Sequence, residues 1–220
     1  MLLEKFFKQE KAVLVDDLIK ESNINFDFLF MLGVSSVIVT LGFVVGEIAI
    51  IIGGMIIAPF LFPLLASSLG FVTLSLKAVL RAFYGVIVSV LWVVVLSYLT
   101  TFFLEDVQFR GSGFLLSLKP HTLSFVVAFL SGLSAAYSSV VPHLSMVLPG
   151  VAVAVSLVPP LVAVGIFMHL ADKSMFMNAF LVFLLNALGI VLSGILVYLF
   201  SGLNSLEKYQ EKVIKEEDNG

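Results

Sequence analysis

Residues 120–171 contain no aspartate, glutamate, lysine or arginine, which leaves 52 consecutive positions without a charged side chain. A helix needs roughly 20 residues to cross a lipid bilayer, so this stretch has room for two transmembrane helices and a turn between them. Hydrophobic residues make up 60% of the 220 residues and charged residues only 12%, whereas soluble domains carry about a quarter charged residues. The sequence predicts an all-α integral membrane protein whose main partner is the lipid bilayer.

Four further uncharged runs are long enough to cross a membrane. They cover residues 28–46, 48–76, 82–104 and 174–206. All of these runs are continuously rich in Leu, Ile, Val and Phe, whereas a membrane β-barrel shows short segments that alternate between apolar and polar residues. Together with the two spans in 120–171, they predict six transmembrane helices.

The spans divide the chain into five predicted segments. Two three-span units are flanked and separated by more polar stretches. In order these are a cytoplasmic or interfacial N-terminal segment 1–26, a first unit 27–104, an external loop 105–120, a second unit 121–203 and a charged cytoplasmic tail 204–220. The first segment lacks the apolar run and cleavage site of a signal peptide and is expected to remain in the mature protein.

The basic residues predict the orientation of the chain. If the N-terminus is cytoplasmic, nine lysines and arginines fall on the inner side and three on the outer side. The outer three are Arg110, Lys119 and Lys173. Basic residues near the ends of spans are retained in the cytoplasm, so both termini are predicted to lie inside the cell (inner) membrane.

The N-terminal segment has two interpretations. Leu2, Leu3, Phe6 and Phe7 lie near one side of a helix, as in an interfacial helix. Charged residues also fall on that side, which is typical of a solvated tail. The sequence leaves both interpretations open.

The two units resemble each other when the sequence is shifted by 97 residues. This shift superposes Gly53 on Gly150 and Pro63 on Pro160, and it carries the third span onto the sixth without a gap. Each unit has three spans, so the second must enter the membrane from the opposite side. The pattern predicts two inverted three-span repeats, an arrangement common in secondary transporters.

Prolines interrupt the second and fifth spans at corresponding positions. Proline has no N–H and clashes with the carbonyl four residues earlier, so the prolines deprive four carbonyls of their helical partners. The prolines are Pro59, Pro63, Pro159 and Pro160, and the carbonyls are those of Met55, Pro59, Val155 and Ser156. An unpaired carbonyl is tolerated in a membrane only when it is buried in protein or lines a cavity. The pattern predicts Pro-broken second and fifth spans around a midplane binding site, although kinks for packing are the simpler alternative.

Two polar residues within the spans complete this predicted substrate site. Asn186 lies near the centre of the sixth span, and the 97-residue shift pairs it with Ser89 of the third span. An amide at that depth needs a partner inside the bundle, and a hydrogen bond between helices is the alternative to a ligand contact.

Several kinds of chemistry find no support in the sequence. Motifs of nucleophilic, metalloprotease and phosphate-binding sites are absent, so the chain is predicted not to be an enzyme. His121, His143 and His169 are predicted to lie on different sides of the membrane, and no metal or cofactor is expected. The net charge of −3 gives no reason to expect nucleic acid as a partner.

The segments "IIGGMIIAPFLFPLLASSLG" and "LPGVAVAVSLVPPLVAVGI" resemble the paired signature segments of a prokaryotic family of hydrophobic proteins, domain of unknown function 389. The resemblance covers roughly residues 26–203 and implies a polytopic membrane protein of undetermined activity. The family pattern has a glycine where this chain has Phe62, which implies a narrower cavity beside Pro63.

The sequence thus predicts a transporter or channel for a small ion or polar solute. The alternative is a structural or regulatory membrane component without transport activity. Gly42 and Gly46, like Ser131 and Ala135, form faces of small residues. Such faces allow helices to approach closely, so they predict tight packing or a homo-oligomer.

Overall fold

The computed structural model describes residues 13–104, 119–141, 144–145, 147–203 and 207–218, and this part of the chain is helical without any strand. The helices are α1 (13–21), α2 (Phe26–Val45), α3 (Ile48–Ile57), α4 (Leu61–Thr73), α5 (Leu76–Phe103), α6 (Thr122–Val140), α7 (Val147–His169), α8 (Lys173–Phe200) and α9 (Glu207–Asp218). Five of them (α2, α5, α6, α7 and α8) are long and apolar enough to cross a membrane, and the bent pair α3–α4 counts as a sixth if it is one span. The predicted class of all-helical, multi-pass membrane protein is confirmed.

Neighbouring helices pack in consistent directions. Gly85 of α5 lies beside Ile24, just before α2, and Trp92 donates a hydrogen bond to the carbonyl of Leu29 at 2.9 Å. Further along both helices, a Cβ built on Gly33 would lie 3.0 Å from the side chain of Leu96. Residue numbers rise together, so α2 and α5 run parallel. Because α3 follows the end of α2 and α4 leads into the start of α5, the α3–α4 pair connects opposite ends of the bundle.

The terminal helices α1 and α9 lie on the same side of the bundle as the turn between α4 and α5. Tyr209 of α9 donates to the Asp16 carboxylate at 3.2 Å, and Ser75 donates to the Glu211 carboxylate at 3.2 Å. Desolvation by burial and the neighbouring Asp16 raise the pKa of Tyr209. We call this the termini side. The other side, where the ring of His169 packs edge-on against Tyr98 and Phe102, is called the opposite side.

The described part of α1 is packed against the protein. Leu14, Val15, Leu18 and Ile19 are buried and belong to the main hydrophobic core. This segment is therefore a packed helix rather than a solvated tail. The residues that suggested an interfacial face, Leu2 to Phe7, lie outside the described residues.

The basic bias predicts that the termini side is cytoplasmic, and cysteine labelling tests this. The chain has no cysteine, so a single thiol reports one position. Ser174→Cys at the exposed start of α8 should react with an impermeant thiol reagent on intact cells. Lys215→Cys, exposed on α9, should react only after the cells are opened. Labelling of Lys215→Cys from outside would reverse the predicted orientation.

The prolines act differently in the two halves. In the first half, residues 58–60 separate α3 from α4 and their axes bend by 51°. Phe60 anchors this break, because it is fully buried and its ring meets that of Phe183 edge-on at 6.0 Å. Pro63 is not at the break: it lies in the first turn of α4, where a missing N–H costs no helical hydrogen bond.

The prediction of a broken fifth span is wrong. Helix α7 continues from Val147 to His169 with Pro159 and Pro160 inside it. The loss of two backbone donors therefore does not end this helix. As the site shows below, a side chain from α8 replaces one of the missing hydrogen bonds.

Two helix crossings depend on glycine because the backbones approach closely. At the first, Gly165 of α7 faces α5, and a Cβ at this position would collide with Ser97 Oγ and lie 2.6 Å from the carbonyl oxygen of Val94. Only glycine fits between these two helices without displacing one of them.

At the second crossing, Gly194 of α8 faces α4, and a Cβ there would lie 2.5 Å from Ser68 Oγ. The same serine hydroxyl donates to the carbonyl of Val191 at 3.2 Å. Gly194 lies 97 positions after Ser97, and Ser68 lies 97 positions before Gly165. Val191 likewise lies 97 positions after Val94. The 97-residue shift therefore relates the residues that meet at one crossing to those that meet at the other.

Candidate functional site

A cavity of about 370 Å³ lies between α6, α7 and α8. Its deep end is formed near the middle of α7 and α8 by a group of predicted site residues. These are Val155, Ser156, Pro159, Pro160 and Asn186. Its mouth is formed by Lys119 and His121, just before α6 on the opposite side. Because Val127 and Val155 are 57% and 44% exposed, the cavity is a groove that is open to the outside of the bundle and runs from one end toward its middle.

Asn186 satisfies a carbonyl that proline has deprived of its helical partner. Pro160 has no N–H to offer the carbonyl of Ser156, and Asn186 Nδ2 donates to that carbonyl at 2.7 Å. Asn186 comes from α8, so the bond ties the two helices together at the deep end of the cavity. The predicted helix-to-helix hydrogen bond of Asn186 is confirmed.

This bond also fixes the orientation of the amide. A carbonyl oxygen only accepts hydrogen bonds, so the amide nitrogen must face Ser156 and the amide oxygen must face away. Asn186 is 3% exposed, and its Oδ1 accepts no hydrogen bond from the described part of the chain. Asn186, which lines the cavity, thus keeps a buried acceptor that is unpaired among the described residues.

The other predicted site residues do not reach this cavity. The Met55 carbonyl, expected to be free, accepts a hydrogen bond from the Ala58 N–H at 3.1 Å because the last turn of α3 tightens. Pro63 is buried in α4. Ser89 is fully buried, and its hydroxyl donates to the carbonyl of Gly85 in its own helix at 2.8 Å. The prediction that all four carbonyls share one cavity is wrong.

A second cavity of about 270 Å³ lies at the break between α3 and α4. Pro59 and Phe62 line it, together with Gly150 and Val151 from the start of α7. Its lining side chains are apolar. Residues 58, 59 and 62 correspond to 155, 156 and 159 under the 97-residue shift, whereas the other lining residues of the two cavities do not correspond. Phe62, the residue expected to narrow a cavity beside Pro63, lines this second cavity.

Sequence reasoning missed the mouth and walls of the first cavity. The missed residues are Lys119, His121, Leu123, Ser124, Val127 and Val182. Helical spacing held a signal for one of them, because Val182 precedes Asn186 by four positions and shares its helix face. For the others, the packing of α6 against α8 had to be known.

The small-residue face around Gly42 is used within the chain. A Cβ on Gly42 would lie 2.7 Å from the side chain of Ile51 in α3, and Gly46 ends α2 with φ of 82°. This face therefore packs α2 against α3. The predicted homo-oligomer remains a prediction.

Comparison with known proteins places this arrangement in a family. The model of a domain of unknown function, DUF389, matches residues 55–192. The chain belongs to the DUF389 family. The DUF389 match runs from the end of α3 to residue 192 within α8 and includes every residue of the cavity around Asn186. The family resemblance predicted from the signature segments is confirmed.

One relative is an uncharacterised protein of Methanocaldococcus jannaschii, 25% identical over 201 residues. The alignment covers 91% of this chain and 61% of the relative, so the chain spans about three-fifths of the length of the relative that it matches. No solved structure matches this DUF389 protein.

Proposed function

We propose that this protein is a membrane transporter or channel for a small ion or polar solute, with its binding site in the cavity at Asn186. The observation that carries the proposal is that Asn186, whose buried Oδ1 is unpaired among the described residues, is one of the residues that line that cavity. An unsatisfied buried acceptor destabilises a fold by about 1–3 kcal/mol. Such a group is retained most readily where a ligand or water completes its hydrogen bonding.

The helix crossings support an inverted repeat. The contact of Ser97 with Gly165 and that of Ser68 with Gly194 are related by the 97-residue shift, as a two-fold axis in the membrane plane requires. Three lining residues of the second cavity, at 58, 59 and 62, also correspond under this shift to lining residues of the first cavity. Transporters with inverted repeats expose one site alternately through two such halves.

The bent α3–α4 pair supports the transporter class, but its break does not line the proposed site at Asn186. Because α2 and α5 run parallel, we infer that α3 and α4 form one broken crossing rather than a re-entrant loop. Discontinuous helices in transporters lie beside the substrate site, where water or ligand satisfies their ends. In this protein the break at Pro59 lines the second cavity.

Accessibility and flux in reconstituted vesicles test the proposal. Val155 lines the first cavity, whereas Leu157 on the same helix is fully buried. We expect a water-soluble methanethiosulfonate to modify Val155→Cys at least tenfold faster than Leu157→Cys. Release of a panel of trapped rubidium, chloride, urea and glycerol should identify at least one permeant solute. Modification of Val155→Cys should block the release of that solute.

A membrane scaffold would give a different result. In that case Val155→Cys would be as unreactive as Leu157→Cys, because lipid or packed side chains would fill the cavity. No trapped solute would leave faster than from vesicles without protein.

A further inference from the structure

The groove between α6, α7 and α8 opens sideways from the bundle. Leu123, Val127 and Val155 line it, and all three side chains are exposed. Helix α6 is long and apolar enough to cross a membrane, so in a bilayer these exposed side chains face hydrocarbon rather than water. What occupies the outer part of the groove must therefore be apolar.

The groove follows the depth of one membrane leaflet. Lys119 and His121 lie at its mouth, just before the first turn of α6, and Val127 lies in the second turn. The helix rises by about 9 Å from His121 to Val127, whereas the hydrocarbon of one leaflet is about 15 Å deep, half of the total thickness. An acyl chain that starts at the mouth can therefore run along the groove into the membrane.

The mouth has the charge that suits a lipid phosphate. Lys119 and His121 are both exposed, and none of the described residues that line the groove has a carboxylate. On the same side, Asp172 caps α8 by accepting from the N–H groups of Ser174 and Met175, and it does not line the groove. A lysine near the membrane surface attracts anionic lipid, and the imidazole of a histidine has an N–H that can donate to an oxygen. The mouth therefore favours an anionic headgroup over a neutral one.

A second outward groove lacks this charge. It lies between α2 and α5 and has a similar volume of about 360 Å³, but its described lining residues are apolar. The indole N–H of Trp92, which lies in that groove, already donates to the carbonyl of Leu29. A lipid chain fits there, but no described lining residue has a charge to hold a headgroup. Selection between lipids is therefore expected only in the groove beside α6.

We infer that the groove between α6, α7 and α8 binds one anionic phospholipid, with its phosphate at Lys119 and His121 and an acyl chain along Leu123 and Val127. The inference goes beyond the proposed function, because it adds an occupant that enters from the bilayer. Lipid and solute are alternative occupants of this groove. Lipid binding is measured without flux, and flux can be measured in vesicles of phosphatidylcholine alone, so the two proposals can fail independently.

Native mass spectrometry of the full chain tests the inference. The protein is released from detergent micelles after incubation with phosphatidylglycerol or phosphatidylcholine of the same acyl chains, so the two probes differ only in the headgroup. We expect phosphatidylglycerol to bind about fivefold more tightly, which is the effect of one basic residue near an anionic lipid surface. Excess inorganic phosphate should not displace this lipid, because phosphate has no acyl chain.

Two pairs of variants locate the bound lipid. Lys119→Glu should remove the preference for phosphatidylglycerol, whereas Lys173→Glu makes the same charge change on the same side but outside the groove and should keep it. Val127→Trp fills the groove and should weaken binding severalfold. Leu130→Trp is its matched control, because Leu130 is equally exposed on α6 but does not line the groove. All four positions are exposed, so the variants leave the core intact.

Several outcomes would overturn the inference. Equal binding of the two lipids, or equal effects of Lys119→Glu and Lys173→Glu, would mean that the mouth does not select a headgroup. Unchanged binding in Val127→Trp, or displacement of the lipid by inorganic phosphate, would mean that no acyl chain lies in the groove. A lipid-free dimer that dissociates in Val127→Trp would make a second copy of the chain the occupant. The absence of any phosphatidylglycerol adduct on the natural protein would also contradict the inference.

Discussion

Gly165→Val should lower the melting temperature of the purified protein by roughly 10 °C or prevent its accumulation in the membrane. The new Cβ would collide with Ser97 and lie 2.6 Å from the Val94 carbonyl oxygen. Overpacking typically costs about 1–3 kcal/mol, and we expect the upper end because a backbone oxygen cannot rotate away. About 3 kcal/mol corresponds to roughly 6–12 °C for a chain of this size. Thermal unfolding followed by size-exclusion chromatography measures the effect.

Gly53→Val is the matched control for this prediction. Gly53 also lies in an apolar helix, but a Cβ there meets no atom within 4 Å. Since valine has a higher helix propensity than glycine, this variant should be as stable as the natural protein. Equal stability of Gly53→Val and Gly165→Val would contradict the close approach of α5 and α7.

The crossing of α4 and α8 can be tested with a compensating substitution. The two closest atoms that a Cβ on Gly194 would meet belong to the Ser68 side chain, with Oγ at 2.5 Å and Cβ at 2.8 Å. Gly194→Ala should therefore be destabilising alone and less so together with Ser68→Gly. Independent, additive effects of the two substitutions would show that these residues do not meet.

Asn186→Leu should destabilise the protein, and Pro160→Ala should rescue it. Leucine leaves the buried Ser156 carbonyl without the amide donor that now lies at 2.7 Å. An unpaired buried carbonyl costs about 1–3 kcal/mol. Alanine at position 160 supplies the N–H that proline lacks, so the carbonyl can regain its helical hydrogen bond. The double variant should recover most of the lost stability, which thermal unfolding of all four proteins in a double-mutant cycle would measure.

Pro63→Ala provides the control for this cycle. Pro63 corresponds to Pro160 under the 97-residue shift, but it lies in the first turn of α4. In that turn an added N–H has no carbonyl to meet within the helix. The Pro63→Ala substitution should therefore leave the instability of Asn186→Leu unchanged. Rescue by Pro63→Ala, or failure of rescue by Pro160→Ala, would mean that the Ser156 carbonyl is not the group that Asn186 satisfies.

Part of the site was predictable because proline chemistry is local. The absence of an N–H at Pro160 identifies the Ser156 carbonyl as the group that loses its partner, and the depth of Asn186 identifies an amide that needs one. The structure brings these two groups together. The same local reasoning failed for Met55, because a tighter final turn of α3 supplies the Ala58 N–H instead.

By itself, the sequence determined the class of fold and the location of most spans, because hydrocarbon tolerates only long apolar segments with satisfied backbones. It also determined the 97-residue correspondence that reappears in the contacts of Gly165 and Gly194. The tertiary structure decided which proline ends a helix. The chain bends at residues 58–60, where Phe60 packs into the core, whereas α7 continues through Pro159 and Pro160 and its Ser156 carbonyl accepts a hydrogen bond from Asn186 of α8. The cavity mouth at Lys119 and His121 also depended on packing, since residues far apart in the chain meet there only when α6 lies along α8.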